Sequence, residues 1–377
     1  MLTIRATDYL TGNPIEGAEI ELFCDVVHRI GDRGITDTDG KVLLRVAALP
    51  QTVERLFMYP PSAGGYWGRY LANVSIGATP YGVDLHPVDV MVADGARHAY
   101  GSGSNLGSGV RIGIVDHGID SQAVPVAGGR NCVVGEPDGD YGDDGSGHGT
   151  HVAGIIATRP GGAVRGLAPD AEIYSYRVFG DRASSYSVSN AVDQALQDGC
   201  HLINMSIGGL AYDTVLKEMD RDVAERGAII IAAAGNGNGG PVTIPAALDY
   251  ALSVTAMGRV GTYPPGSLED AYIGAVSATD PNDFFASFSN CSPPSVELIA
   301  PGVGIVSVLP GGRYGPLNGT SQACAVATAA AARALTGMPV LSAAPDKARA
   351  IAMKNYLFGR ANPMGFGFPI EGYGRLA

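Results

Sequence analysis

The apolar residues of this chain follow one period up to about residue 90 and another from Val110 onward. Side chains that alternate in and out specify half-buried strands, whereas unbroken apolar runs between helical stretches specify strands buried on both faces. Two parts with different architectures are therefore expected. In the first part, Leu2-Thr3-Ile4-Arg5 and Ala18-Glu19-Ile20-Glu21-Leu22-Phe23 alternate, with the turn cluster Thr11-Gly12-Asn13-Pro14 between them. Asp39-Gly40 separates Ile35-Thr36-Asp37-Thr38 from Lys41-Val42-Leu43-Leu44, which predicts a hairpin. Val53 to Tyr59, Trp67 to Ile76 and Gly82 to His86 read as further strands, so residues 1–90 are expected to form a small all-β sandwich. Residues 91–109 end in a glycine- and serine-rich run from Gly101 to Gly109 and read as a linker.

From Val110 to Ala377 the pattern predicts an α/β fold. Continuous apolar runs (Val110 to Val115, Leu202 to Met205, Ala228 to Ala234, Ala251 to Ala256) alternate with helical stretches near 187–198, 213–226, 321–335 and 345–358. That alternation specifies a parallel sheet with helices on both faces. Such sheets bind ligands beyond the carboxyl ends of their strands. Asp116 and Ser206 fall at two of those ends, and Asn236 lies just beyond a third.

Composition narrows the function classes. The formal charge of −12 argues against a nucleic-acid binder, which needs a basic face. No run of about 18 apolar residues is present to span a membrane. The alternating start Met1 to Asp8 lacks the basic and apolar regions of a signal peptide. Five scattered cysteines (Cys24, Cys132, Cys200, Cys291, Cys324) read as free thiols. A cytoplasmic location is the expectation, with export by a route that needs no such signal left open.

Three motifs carry chemistry: Val115-Asp116-His117-Gly118, His148-Gly149-Thr150-His151-Val152-Ala153-Gly154 and Asn318-Gly319-Thr320-Ser321. A serine hydroxyl is a poor nucleophile until an imidazole takes its proton, and a carboxylate can hold that imidazole in the right tautomer. Ser321 falls at a turn-to-helix junction, where free N–H groups favour developing negative charge. Asn236, after the apolar run ending at Ala234, suits an amide donor to an oxyanion. The three motifs, in the order Asp, His, Ser, resemble the subtilisin-like serine proteases, or subtilases. The resemblance covers about residues 105–377 and implies a serine endopeptidase working through an acyl-enzyme. It assigns Asp116 to orient the base, His148 as the general base, Ser321 as the nucleophile and Asn236 to the oxyanion hole. His151 is given a supporting structural role.

The resemblance also suggests substrate contacts. Ser206-Ile207-Gly208-Gly209 and Ala233-Ala234-Gly235 match the two walls beside the residue that precedes the scissile bond. Ala183-Ser184-Ser185 matches the edge segment to which an extended substrate adds as a strand. Thr243 stands where many relatives have glycine at the pocket floor, so a shallow pocket for small or medium residues is expected. Residues 1–90 resemble transthyretin-like or carboxypeptidase-regulatory-like modules rather than the αβ propeptide of secreted subtilases. Self-inhibition through this domain, or docking of a protein partner on it, is the corresponding expectation; neither nucleic acid nor membrane is expected as a partner.

The chain departs from the family pattern in several places. Gln322 and Ala325 replace the Met and Pro that relatives commonly carry, which leaves room for a peptide ligase or macrocyclase. A catalytically silent subtilase acting as a binding module is the remaining alternative. The short Arg159 to Val164 segment lacks the calcium loop of many secreted relatives. The acidic loop with Glu136, Asp138, Asp140, Asp143 and Asp144 has oxygen ligands that suit calcium; a solvated loop, or one that attracts a basic substrate residue, is the plainer reading. No metal, redox or organic cofactor is therefore expected. Residues 260–285 read as an insertion, and His117 as a neighbour of the cleft without a chemical role.

Overall fold

The structure is a computed structural model of the 377-residue chain. It describes all residues except 46–51, 63, 77–78, 102–105, 159–160, 181–182, 210, 212 and 293–295. Part of the expected linker run and Arg159-Pro160 thus lie outside the described residues. The chain divides into two compact units.

The first unit comprises residues 1–92 with 261–272 and 313–316. Its strands are β1 (Leu2–Asp8), β2 (Glu19–Asp25), β3 (Ile30–Ile35), β4 (Lys41–Leu44), β5 (Thr52–Tyr59), β6 (Arg69–Ser75) and β7 (Tyr81–Leu85). They form a three-stranded sheet in the order β4-β1-β7 and a four-stranded sheet in the order β3-β2-β5-β6. β1 shows why: every second side chain, from Leu2 through Ile4 and Ala6, is buried. Ile20 and Leu22 of β2, Leu56 and Met58 of β5, and Val83 and Leu85 of β7 join the same core. The Asp39-Gly40 hairpin is a correction. β3 pairs with β2 and β4 with β1, so the turn passes the chain from one sheet to the other. Asp37 forms this corner through its own carboxylate, which accepts N–H bonds from Asp39 and Lys41, so the turn chemistry is present without a ladder across it.

Part of the expected insertion belongs to this unit. The Tyr70 N–H donates to the Gly266 carbonyl, the Leu268 N–H to Gly68, and the Arg69 guanidinium to Pro265. Leu268 and Tyr263 are buried. The Gly65 N–H donates to the Tyr314 carbonyl, and Arg313 reaches the Ser62 carbonyl.

The second unit holds the remaining residues. It opens with α1 (Gly95–Tyr100), a helix inside the stretch read as linker, N-capped by Asp94. Next come β8 (Arg111–Asp116), β9 (Gly128–Asn131), α2 (His148–Ile156), β10 (Glu172–Arg177), α3 (Ser185–Gln197), β11 (Leu202–Met205), α4 (Thr214–Glu225) and β12 (Ile229–Ala233). β13 (Leu252–Arg259), β14 (Ile273–Val276), β15 (Asp283–Ala286), β16 (Leu298–Pro301), β17 (Ile305–Leu309), α5 (Thr320–Leu335) and α6 (Lys347–Phe358) follow. The expected α/β architecture is present as a nine-stranded sheet. From β9 through β10, β8, β11, β12 and β13 to β16 all neighbours are parallel, and β15 and β14 add an antiparallel edge.

Alternation along β11 separates the two faces. Ile203 and Met205 pack with Val188 and Ala191 of α3 and Leu216 of α4. Between them Asn204 points the other way, where its side-chain oxygen accepts a bond from Thr328 of α5. No helix among the described residues is long and apolar enough to cross a membrane.

Candidate active site

Three adjacent parallel strands, β8, β11 and β12, end on one side of the sheet and deliver the candidate residues. Asp116 is the last residue of β8 and is 1% exposed. His148 is the first residue of α2, and its Nδ1 lies 2.8 Å from Asp116 Oδ1. That contact needs α2 to start very close to the turn after β8, and glycines permit it. A side chain at Gly149 would bring its Cβ within 2.2 Å of the Gly118 carbonyl oxygen and 3.2 Å of Asp116 Oδ1. Gly118 itself has φ +86° and lies against the Gly142 carbonyl. Asp116 Oδ1 also accepts the His117 N–H at 2.8 Å.

The His148 pKa is raised above the ordinary histidine value. Burial works to lower it, but the Asp116 carboxylate, its hydrogen bond and the charges of Asp143 and Asp144 outweigh that effect. His151, three residues on, is fully buried.

Ser321 lies in the first turn of α5, which follows Gly319. Its hydroxyl donates to the Ser206 carbonyl at 3.1 Å, and the Ser206 hydroxyl donates back to the Ser321 carbonyl at 2.9 Å. In this rotamer the Ser321 hydroxyl is tied to the residue that follows β11. Catalytic hydrogen bonds between serine and imidazole often tighten only when substrate is bound.

Asn236 follows β12. Its side-chain oxygen accepts both the N–H of Thr320, at 3.0 Å, and the Thr320 hydroxyl, at 2.9 Å. An oxygen facing two donors fixes the amide orientation, so Nδ2 is the end left to donate. Thr320 further accepts the Gly235 N–H at 3.1 Å. Sequence reasoning missed this orienting role of Thr320, although the residue lies inside the quoted motif.

The two expected walls run beyond β11 and β12. Thr243 lies between them: a Cβ at Gly208 would come within 2.7 Å of its Oγ1, and one at Gly235 within 2.9 Å. Ser206 and Ile207 are buried at the head of one wall, ahead of Gly208 and Gly209, while Ala233 and Ala234 are buried in the other. Asn290, also missed, ties the second wall down. Its amide nitrogen donates to the carbonyls of Pro241 and Ala234, and its oxygen accepts the Gly237 N–H. A buried asparagine 54 residues beyond Asn236 gives no sequence signal of such a contact. Ala183-Ser184-Ser185 is placed differently from a plain edge strand. Ser184 N-caps α3 through the Ser187 N–H and Ser185 is already helical, because a serine before a helical run satisfies an otherwise unpaired donor.

The carboxylates of the acidic loop have protein partners. Glu136 and Asp140 face Arg177, Asp138 faces Arg130, and Asp143 and Asp144 accept backbone N–H bonds. No group of three metal-ligating side chains suited to an ion occurs among the described residues.

A serine at a helix start, an imidazole on a buried carboxylate and an oriented amide, at the strand ends of a parallel sheet, are the groups of a serine endopeptidase. Residues 107–368 match the subtilase family, Peptidase_S8. Subtilisin DY of Bacillus licheniformis is 36% identical over 276 residues, covering 72% of this chain and 89% of its own. Subtilisin Savinase of Lederbergia lenta is 35% identical over 230 residues, covering 60% and 76%. A solved serine-to-alanine mutant of the protease domain of PatA superposes with a TM-score of 0.57 at 27% identity, covering 73% of this chain and 95% of that one. The chain belongs to the subtilase family.

Proposed function

We propose that this subtilase cleaves polypeptides by acyl transfer to Ser321, and that hydrolysis completes the turnover. The Asp116–His148 pair, at 2.8 Å, is the observation that carries the reading. The Ser321 hydroxyl leaves the Ser206 carbonyl, gives its proton to His148 Nε2 and attacks the substrate carbonyl. Asn236 Nδ2 and the Ser321 N–H then hold the oxyanion, a contribution of about 3 kcal/mol per donor in related chemistry. His148 returns the proton to the leaving amine as the C–N bond breaks. Water, deprotonated by His148, then releases the acid and frees Ser321. Asp116 stays ionised and holds the imidazole in its tautomer.

The decisive test is the intact mass of the full-length protein after reaction with a fluorophosphonate. One adduct on the wild type and none on Ser321→Ala is expected; equal labelling of both would remove Ser321 from the role. Turnover of peptides with an added amine separates hydrolysis from ligation: free acid is expected as the main product, and amine-capped product would establish the transferase. Thr243, between the facing walls, supports a preference for small or medium residues before the cut. A cleavage profile from a peptide library dominated by Phe or Tyr at that position would sink it.

No metal is proposed to act in the chemistry, and melting curves with EGTA should overlay those without it. Five free thiols fit a reducing compartment, a placement that cell fractionation would check.

A further inference from the structure

His117, expected to be a bystander, touches Asp116, Asp144 and the general base itself. Its Nδ1 lies 2.7 Å from Asp144 Oδ2. Its ring stacks on Phe179, with centroids 3.9 Å apart and planes 4° from parallel. The His148 ring stands edge-on to it at 6.1 Å. The backbone adds two ties, since the His117 N–H donates to Asp116 and its carbonyl accepts the Asp144 N–H at 3.2 Å. From Asp144 the connection continues toward α2. Asp144 Oδ1 accepts the Ser146 N–H, and Asp143 Oδ1 accepts those of Gly145 and Gly147, the residue immediately before His148. The Thr150 hydroxyl, in the first turn of α2, donates to the other Asp143 oxygen.

We propose that His117 is a positioning residue for the general base: by clamping Asp144 it holds the 143–147 turn, and with it two carboxylates, beside the His148 imidazole. The proposal rests on the catalytic reading of His148. The charged groups facing that imidazole are Asp116 from β8, Asp143 and Asp144 from the turn, and His117 when protonated; Phe179 brings no charge. Both acidic side chains of the turn favour the imidazolium, in the direction the His148 pKa is displaced. Only the neutral imidazole can accept the serine proton, so these carboxylates set where activity falls as pH is lowered.

The test compares His117→Asn with His117→Ala. Both are uncharged, but only asparagine keeps an N–H where Nδ1 stood, so their difference reports the clamp alone. The acid limb of kcat/KM against pH is expected about half a unit lower in His117→Ala than in His117→Asn, because a released Asp144 is screened by water. Asp144→Asn should lower the limb in the wild type and leave it unmoved in the His117→Ala background. Equal limbs for the two His117 variants would overturn the proposal, as would an equal Asp144→Asn shift in both backgrounds. Failure of the catalytic reading would show separately, as turnover that survives Ser321→Ala.

Discussion

Thr320 decides which end of the Asn236 amide is left to donate, the end that the proposed mechanism turns toward the oxyanion. Two donors from one residue, N–H and O–H, meet the asparagine oxygen, and the hydroxyl takes the Gly235 N–H in return. Thr320→Val keeps the shape and the N–H but removes the hydroxyl bond and leaves the Gly235 donor unpaired. One neutral hydrogen bond contributes about 1 kcal/mol net, so kcat should fall by roughly fivefold with KM little changed. Thr320→Ser should restore most of it. Initial-rate kinetics on a peptide ester and amide would check both variants, and an unchanged kcat in Thr320→Val would remove the orienting role. At this scale motif and order singled out the candidates Asp116, His148, Ser321 and Asn236, because candidate chemistry is written in side-chain type. Thr320 and Asn290 were not, since their partners lie 84 and 49 to 56 residues away and meet only once the sheet has formed. His117 was legible as a residue but not as a contact, for the same reason.

Periodicity located the elements that carry a long apolar face. α3, α4, α5 and α6, and strands β8, β11, β12 and β13, lie within a few residues of where the apolar pattern placed them. It missed α1, which has only six residues and is specified by its ends. Asp94 caps it from one side, and the N–H of Gly101 closes it onto the Arg97 carbonyl at the other. An ion pair joins its start to a neighbouring stretch of the chain. The Asp94 carboxylate, 1% exposed at the side chain, pairs with Arg97 and accepts the Val306 N–H at 2.8 Å. The Arg97 guanidinium in turn donates to the carbonyls of Arg165 and Val306. Neither residue shows an apolar pattern, which is why glycine and serine in the neighbouring run dominated the sequence reading. Removing one partner of a buried pair leaves the other charge uncompensated and costs about 3 kcal/mol or more. Arg97→Ala is therefore expected to lower the urea midpoint markedly, whereas Asp94→Asn combined with Arg97→Ala should cost less than the two single changes added together. A double-mutant cycle measured by urea unfolding gives both values, and simple additivity would show that the pair does not act as a unit.

At the scale of the whole molecule, the first unit is made from three separate stretches of one chain, and this decides what cleavage can do to it. Residues 1–92 supply seven strands, while 261–272 and 313–316 supply backbone partners for Gly65, Gly68 and Tyr70. Leu268 and Tyr263 are buried there, and burying each such side chain contributes about 2 kcal/mol. Trp67, the sole tryptophan, lines one pocket with Tyr263 and Pro264, so its fluorescence reports this seam directly. A propeptide that leaves after one cut would need every such tie to lie on its own side of the cut. Here two of the three stretches belong to the chain that follows it. Cutting the chain within 101–109, at an inserted recognition site for a specific protease, is therefore expected to yield two fragments that stay together. They should co-elute in native size exclusion and keep the Trp67 emission of the uncut protein, separating only in denaturant. For the same reason, a chain lacking residues 1–90 should be less soluble and melt at a lower temperature, with Leu268 and Tyr263 left uncovered. If the residue 1–92 fragment instead elutes alone with a red-shifted tryptophan, the three-stretch unit does not hold, and the N-terminal part is free to leave once cut.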